Sequence, residues 1–415
     1  MLRRKQRGVT LVVVTIALFS LIVVGGLALD IGHVMVNKAR LQATVDAAAL
    51  SAAKVLDVTG STTQATTAAT NVLSLNAQNH SELWSAYGTV TKKVEYSNSL
   101  IPFSPGTTPP LYVRVTANGF SMAATLASVA GINTFTIGAT AVAGPSPTIN
   151  KACNIAPMMM CGTPLPGGTS PSDTNFFGYT KGEITVLKYA GGGGGAGVGP
   201  GNYMLLDDGS GGAAVRTALA GSYSNCATVN NTVTTETGVA AGPTAQGINT
   251  RFNEYQGPSG LTQSAYPPDV ITNQPTSKNS RLSCSDKSCT TVVTGSPSQT
   301  VTDYTGYSSW SYEGMYKPAL QSGSYNVPPP TGVPERRILA VPIGDCTTAG
   351  TGKSNVTVLG LACVFLLQDV DQSDANVFGE VLGKCQVNGN PGPAPTSSPG
   401  PYKIQLYHVD GSPES

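Results

Sequence analysis

Charged and imidazole side chains are scarce in this sequence. Of 415 residues only 11% are charged and 3 are histidine, whereas soluble domains carry about 25% charged residues. The net charge of +1 excludes a general electrostatic grip on nucleic acid, which needs a basic surface. No Gly-x-Ser-x-Gly or His-Glu-x-x-His motif occurs, and His33, His80 and His408 are isolated, which leaves little capacity for general acid–base chemistry. We therefore expect no catalytic site, no cofactor and no small-molecule substrate.

The low charge does not indicate disorder, because 40% of the residues are hydrophobic. Disordered chains normally combine low hydrophobicity with high net charge. The 48 glycines and 29 prolines favour turns and strand connections over helical bundles. We predict an α+β fold, and the length allows two or three domains of about 100–200 residues each.

One long hydrophobic run is present near the N-terminus. Val9–Leu29 contains 21 residues without a charge and would span about 31 Å as a helix, which matches the hydrocarbon core of a bilayer. A cleavable signal has an apolar region of only about 7–15 residues, and a buried core helix is the remaining alternative. Because four basic residues precede the run, the positive-inside rule leaves the N-terminus in the cytoplasm. We predict a cytoplasmic tail at 1–8, a transmembrane helix at 9–29, and residues 30–415 outside.

No cysteine occurs in or before the predicted span, and all eight lie beyond it. An even number of cysteines in an oxidising compartment favours disulfides. Two pairs, Cys153–Cys161 and Cys284–Cys289, are close enough for local loops, although eight cysteines allow 105 pairings. A metal site is the alternative, but no pair has the two-residue spacing of a zinc knuckle. The disulfide candidates are Cys153, Cys161, Cys226, Cys284, Cys289, Cys346, Cys363 and Cys385.

The helix is predicted to continue beyond the membrane, and a second helix is predicted at about Thr63–Asn79. Apolar residues recur in steps of three and four, with Lys38 interrupting the series. This stripe suits either packing on the protein's own domain or a seam with a helix of a partner protein. The stripe is Ile31, Val34, Leu41, Val45, Ala48, Ala52 and Val55. The predicted packing residues are Val9 and Leu29, at the ends of the span, together with Ile31, Val34, Leu41 and Val45 of the stripe.

Residues 30–144 are predicted to form a small extracytoplasmic α+β module. Strand-like alternation occurs at Val90–Tyr96, Tyr112–Asn118 and Thr134–Gly144. Between the last two strands, Ser121–Gly131 predicts a short helix that ends at its glycine.

Several segments of the first 145 residues are typical of one known family. They are Gln6-Arg7-Gly8, GGLALDIGH at Gly25–His33, LQATVDAAALSAA at Leu41–Ala53, and Tyr112–Gly144. Through them the chain resembles the TadE/TadG-like proteins of the Tad (tight adherence, Flp pilus) system. The resemblance implies a single-pass protein of the bacterial inner membrane, with most of its chain in the periplasm and pilus-assembly or pilin proteins as partners. It further implies a minor-pilin-like role without catalytic activity. Looser likenesses occur at Pro200–Gly221, Thr244–Phe252 and Arg336–Cys346.

The sequence departs from this family and its relatives in two respects. Many TadG-like proteins contain a von Willebrand factor A domain with an Asp-x-Ser-x-Ser metal motif, and the nearest string, Asp371–Ala375, lacks the final serine. Arg7–Val14 resembles the start of a type IV prepilin, but Val13 stands where a prepilin has glutamate. We predict neither that domain nor processing by a prepilin peptidase.

Residues 145–415 are predicted to form one β-rich, turn-rich domain. The single evident helix is Ala214–Tyr223, and the glycine-rich Tyr189–Asn202 and proline-rich Pro391–Pro401 are predicted to be irregular. Strands are predicted at Ile184–Tyr189, Thr290–Thr294, Ile338–Ile343, Val356–Leu367, Val377–Leu382 and Tyr402–Tyr407.

Two motifs imitate ligand sites. Ala349–Ser354 is similar to a phosphate-binding loop, but Thr347 stands where the motif needs its first glycine. A second stretch matches four positions of a calcium loop, whereas Asp374 occupies the position of the required glycine. We interpret the first as a turn between strands and the second as a solvated acidic turn. The four matching residues are Asp369, Asp371, Ser373 and Glu380.

Two functions remain open from the sequence. The first is a structural, non-enzymatic component of Tad-type pilus assembly. The second is a single-pass envelope protein, unconnected to pili, that binds an external ligand through its β-rich domain.

Overall fold

The structure, a computed structural model, is mixed α+β, which confirms the predicted fold class. A long N-terminal apolar helix is followed by a remainder dominated by strands. The chain forms two compact units: the first runs to Pro145 and includes the strand Ile404–Tyr407, and the second is Ser146–Lys403. The structure describes residues 9–167, 169–188, 202–209, 211–238, 240–257, 260–285, 289, 291–295, 299–349, 352–373, 375–387, 389–391 and 399–408.

The first two helices of the first unit agree with the sequence pattern, whereas the short third helix was not predicted. The first contains 51 residues and is about 77 Å long, so the helix continues beyond the predicted span. It ends at Gly60, whose φ of 65° lies in the left-handed region that glycine favours. The second begins where the Ser61 hydroxyl accepts a hydrogen bond from the Gln64 N–H at 3.3 Å. The helices are α1 Val9–Thr59, α2 Thr62–Gln78 and α3 Ser81–Ala86.

The sheet of the first unit has four antiparallel strands, in the order β1, β2, β3 and the C-terminal strand. The predicted helix at Ser121–Gly131 is wrong in its first part, because β2 continues to Ala123 and pairs with β3. Met122 is opposite Phe135 in this pairing and buries its side chain in the core, so cross-strand contacts override the local helix preference. Only Ala127–Ala130 forms a helical turn, of the 3-10 type. The strands are β1 Thr91–Ser97, β2 Tyr112–Ala123, β3 Thr134–Pro145 and Ile404–Tyr407.

The end of the chain differs from the predicted division at residue 145. The predicted strand Tyr402–Tyr407 is interrupted at Lys403, and Ile404–Tyr407 pairs with β3 in the first unit. Leu406 lies opposite Ala143 in this pairing. A hydrophobic edge of β3 is thereby covered by a strand that is distant in sequence, and the sequence pattern contains no signal for that partner.

The core of the first unit lies between α1, α2 and one face of the sheet. Val45 and Ala48 of α1 are fully buried together with Val113, Val115 and Ala141 of the strands. Alanines on α1 let the backbones of helix and sheet approach closely. The part of the stripe beyond Leu41 therefore packs on the protein's own domain, the first of the two interpretations left open above.

The second unit is built on a seven-stranded sheet that contains β5, β13, β14, β15 and β6, with β7 and β9 attached. All pairings in it are antiparallel except that of β5 with β13. Five of the predicted strands lie in this unit at or near the predicted bounds. The strands are β4 Ile149–Ala152, β5 Met160–Gly162, β6 Ile184–Lys188, β7 Asn202–Leu206, β8 Ala227–Thr228, β9 Thr232–Thr237, β10 Leu282–Cys284, β11 Val292–Thr294, β12 Gln299–Thr300, β13 Ile338–Asp345, β14 Asn355–Leu366, β15 Val377–Leu382, β16 Lys384–Gln386, β17 Gly389–Pro391 and β18 Gly400–Tyr402.

Residues 1–8, most of the glycine-rich segment Tyr189–Asn202 and residues 392–398 of the proline-rich segment lie outside the described residues. The same holds for Asp374 of the acidic motif.

The helical segments of the second unit are short. The helix predicted at Ala214–Tyr223 is present, although its second half is a π-helical turn. Sequence reasoning missed α5 because its residues AGPTAQGIN include poor helix formers. Packing explains the helix: a Cβ added at Gly247 would lie 2.5 Å from the Arg216 carbonyl oxygen. The helical segments are α4 Gly212–Thr217, Ala218–Ser222, α5 Ala241–Asn249, Thr250–Phe252, Tyr304–Trp310, Tyr312–Tyr316, α6 Lys317–Ser322 and Cys346–Thr348.

All eight cysteines form disulfides in the second unit. The local Cys284–Cys289 loop is confirmed, whereas the possible Cys153–Cys161 loop is wrong. Those two cysteines instead reach distant partners, 73 and 185 residues away in the chain. Sequence proximity cannot identify such partners, since strand pairing in the folded unit brings them together. The pairs are Cys153–Cys226, Cys161–Cys346, Cys284–Cys289 and Cys363–Cys385.

Candidate functional site at the membrane-proximal helix

The first part of α1 has the properties of a membrane anchor. Among the described residues, one helix is long and apolar enough to cross a bilayer, and 6% of its most apolar window is buried within the protein. The hydroxyls of Thr15 and Ser20 are satisfied inside the helix: Thr15 donates to the Leu11 carbonyl at 2.7 Å and Ser20 to the Ile16 carbonyl at 2.9 Å. Such internal pairing is what a hydrocarbon environment requires.

At the end of the apolar run, Asp30 binds the loop between β2 and β3. Its carboxylate accepts hydrogen bonds from three consecutive backbone N–H groups, those of Thr125 (3.3 Å), Leu126 (2.9 Å) and Ala127 (2.6 Å). We call this arrangement the Asp30 cap. The Asp30 side chain is buried, with 6% of the residue exposed. The Ala127 N–H, followed by those of Leu126 and Thr125, lowers the pKa of Asp30 against the opposing effect of burial.

One helical turn closer to the membrane, Gly26 lies directly against the same loop. A Cβ added at Gly26 would lie 2.5 Å from the Leu126 Cβ, closer than real carbon atoms approach. Glycine is therefore required here for close approach of the loop to the helix. Gly26 and Asp30 both belong to the Gly25–His33 segment, so that segment forms the contact between α1 and the loop.

A cluster of three polar side chains joins α1 to α3 just beyond the Asp30 cap. Glu82 accepts from the Asn37 amide at 3.0 Å and pairs with His33 at 2.9 Å. The His33–Glu82 pair is nearly half exposed, so it contributes at most about 1 kcal/mol. Its geometric effect is to hold α3 against α1 just beyond the end of the apolar run.

The predicted packing residues separate into two groups. Leu41 and Val45 are in the core, with 5% and 0% exposure, and Val34 packs partly against that core. Leu29 and Ile31 are exposed. The Val9 side chain lies outside the described residues.

A second stripe, which sequence reasoning missed, remains exposed on the opposite side of α1. Its members are small or apolar, and a Cβ at Gly25 or Gly32 would meet no atom within 4 Å. The hydrophobic period alone could not show that this side is exposed, because the side that packs on the loop and α3 carries the polar residues Asp30, His33 and Asn37 at the same level. We call this set the free face: Gly25, Ala28, Leu29, Gly32, Met35, Val36 and Ala39.

In the second unit, Arg337 is a fully buried hydrogen-bonding centre. Its guanidinium donates to the carbonyl oxygens of Leu366 (2.7 and 3.0 Å), Asn273 (2.9 Å) and Ile271 (3.2 Å). The nearby Asp269 carboxylate accepts from the Arg337 backbone N–H at 2.9 Å. Burial lowers the pKa of Arg337 to about 10, so the side chain stays charged at neutral pH. Arg337 belongs to the Arg336–Cys346 segment, which therefore has a structural role.

A cavity of about 450 Å³ lies beside β15 in the second unit. Tyr304, Tyr312, Lys181 and Lys317 line it together with Glu380. The prediction of a solvated turn is wrong for Glu380, because this residue lies within β15 and is 1% exposed. Its carboxylate accepts from the Tyr312 N–H at 2.7 Å, and burial raises its pKa to about 7.

The other residues of the two imitated ligand motifs have partners within the protein. Asp369 forms an ion pair with Arg281, and Asp371 accepts from the Ser373 N–H at 2.8 Å, within a turn. Lys353 of the loop-like motif pairs with Asp207, a contact that raises the pKa of Lys353.

The buried carboxyl of Glu380 predicts a pH dependence of stability. Because its pKa is higher in the folded state (about 7) than the ordinary 4.5, the unfolded state releases its proton first. The free energy of unfolding should therefore fall by on the order of 3 kcal/mol as the pH rises from about 4.5 to about 7, and it should then level off. The Glu380→Gln variant should lack that component. Urea unfolding at pH 5 and pH 8, followed by Trp310 fluorescence in a Trp84→Phe background, measures the difference. An identical pH dependence with and without Glu380 would contradict it.

Comparison with known families agrees with the geometry of α1. Residues 8–55 match the Tad family model, described as "Putative Flp pilus-assembly TadE/G-like". This segment is TadE/G-like. The match confirms the resemblance over almost the whole of α1, including the Gly25–His33 segment and the stripe. No curated protein and no solved structure matches the chain.

Proposed function

We propose that this protein is a non-enzymatic, minor-pilin-like component of Tad/Flp pilus assembly, held in the bacterial inner membrane by α1. The observation that carries the proposal is the TadE/G-like match over residues 8–55 on a helix whose free face is exposed at the membrane boundary. The Tad system concerns pilus assembly, and its TadE/G-like proteins are in general not enzymes. The basic tail supports a cytoplasmic N-terminus, and the four disulfides support an oxidising, periplasmic location of the second unit.

The free face offers a surface for a neighbouring helix of a pilin or assembly protein. Within a membrane, helices associate through close packing, and small residues at the contact allow the backbones to approach. Gly25, Ala28 and Gly32 supply such positions on successive turns of α1. Because the Asp30 cap and the core attach the first unit firmly to α1, docking of this helix also brings the extracytoplasmic part to the assembly site.

The proposal is tested by adding bulk to the free face. Gly32→Leu should reduce the number of piliated cells by about tenfold or more, the effect of losing roughly 1.4 kcal/mol of association energy. A Cβ at this position meets no atom of the protein itself, and leucine is a better helix former than glycine, so the fold should persist. Electron microscopy of surface pili, with immunoblotting of membrane fractions, measures both effects.

The matched control is Thr67→Leu, which adds a similar apolar side chain on the exposed surface of α2. It should leave piliation unchanged. Normal pili in the Gly32→Leu strain, or equal losses in both strains, would contradict a role of the free face.

A second candidate function is binding of an external ligand in the cell envelope. The cavity beside Glu380, with its tyrosines and lysines, favours this alternative. Deletion of the gene separates the two: loss of surface pili supports the assembly role, and unaltered pili favour ligand binding.

A further inference from the structure

We propose that the β2–β3 loop, residues 124–133, is a second membrane contact whose apolar side chains enter the extracytoplasmic leaflet beside α1. Leu126, Val129 and Ile132 are 37%, 56% and 40% exposed. Loops that face water are usually polar, whereas these three side chains extend from one short loop. The surrounding sequence has no charged residue between Arg114 and Lys151, so no charge in it opposes contact with lipid.

The contact with α1 sets the depth of the loop. Leu126 lies against Gly26, and Gly26 precedes the end of the apolar run at Leu29 by three residues, or about 4.5 Å along the helix. The loop is therefore continuous with the apolar surface of the membrane-spanning helix. This continuity identifies lipid as its occupant.

The backbone of the loop is prepared for an environment with little water. The Asp30 cap satisfies the N–H groups of Thr125, Leu126 and Ala127. Further N–H groups bond inside the loop: that of Gly131 to the Ser128 carbonyl at 3.0 Å and that of Ile132 to the Ala127 carbonyl at 3.2 Å. Unpaired backbone groups are costly in lipid, and these bonds reduce that cost.

A fluorescent label on the loop tests the proposal. Val129→Cys can be labelled specifically with NBD, because the eight natural cysteines are all in disulfides. The full-length protein is placed in nanodiscs of phosphatidylethanolamine and phosphatidylglycerol, with and without acyl-brominated phosphatidylcholine. We expect the NBD emission to be blue-shifted. We also expect brominated lipid to quench most of its intensity. The control, labelled at Thr67→Cys on α2, should keep a water-like emission without quenching.

Two results would overturn the inference. Water-like, unquenched emission at position 129 would show that the loop stays out of lipid. A blue shift that disappears when each nanodisc holds a single copy would show that a second copy of the protein covers the loop.

The Asp30→Asn variant supplies an independent measurement. Its amide lacks the charge that attracts the three N–H groups, so the quenching at position 129 should decrease while the label on α2 is unaffected. Unchanged quenching would contradict the role of the Asp30 cap in placing the loop. None of these measurements depends on pili, so the inference can fail while the assembly role stands.

Discussion

Val45→Asp should prevent stable folding of the first unit. Val45 is fully buried in the core that α1 forms with α2 and the sheet, and no lysine or arginine is buried among the described residues of the first unit. Burying an aspartate there, ionised or protonated, costs about 4 kcal/mol or more. Thermal unfolding of the full-length protein in detergent, followed by Trp84 fluorescence in a Trp310→Phe background, measures the loss, because each unit contains one of the two tryptophans.

Ala43→Asp is the matched control, since Ala43 is exposed on α1 only two residues away. It should leave the transition of the first unit within about 0.5 kcal/mol of the parent protein. A well-folded Val45→Asp protein that has lost only its pili would contradict the core assignment and favour the partner-helix seam considered from the sequence.

Arg337→Met should destabilise the second unit by on the order of 3–5 kcal/mol. The substitution removes the guanidinium donors that bond the carbonyl groups of Leu366, Asn273 and Ile271, in a region closed to water. It also removes the positive charge that opposes the effect of burial on Asp269, whose pKa is raised. Urea unfolding followed by Trp310 fluorescence in the Trp84→Phe background reports the loss.

The comparison variant is Lys317→Met, which also removes one cation. Lys317 forms an exposed ion pair with Glu313 at 3.0 Å. Exposed pairs contribute about 0–1 kcal/mol, so the midpoint should hardly move. Equal effects of the two variants would mean that Arg337 is not a structural centre.

Local signals in the sequence were sufficient for several elements. The anchor follows from a charge-free run of sufficient length, and β14 and β15 follow from long apolar stretches that the structure buries completely at their centres. Local signals failed where distant partners decide. The Ser121–Ala123 segment begins a stretch that the sequence predicts to be a helix, yet pairing with Thr134–Thr136 makes this segment a strand.

The candidate site shows the same division. The end of the apolar run at Leu29 could be located from charge alone, and Asp30 is the first charged residue after it. Its three N–H partners lie 95 to 97 residues further along the chain, and nothing in the spacing indicates them. Likewise Glu380 was assigned to an acidic turn from its spacing to Asp369 and Asp371, although it lies in a buried strand.

The sequence by itself determined a run long and apolar enough to span a membrane, the mixed α+β class, the cysteine content suited to disulfides and the TadE/G-like character of α1. These properties depend on composition and short-range periodicity. Only the tertiary structure decided which side of α1 is exposed near the membrane, which cysteines pair, and that the β2–β3 loop meets α1 at Gly26 and Asp30. The physical reason is that the packed side of α1 carries the polar residues Asp30, His33 and Asn37 near the membrane, whereas the exposed side is apolar there, so the hydrophobic pattern alone leaves open which side is buried. The position of the sheet, set by strand pairing over long sequence distances, removes that ambiguity and leaves the free face exposed.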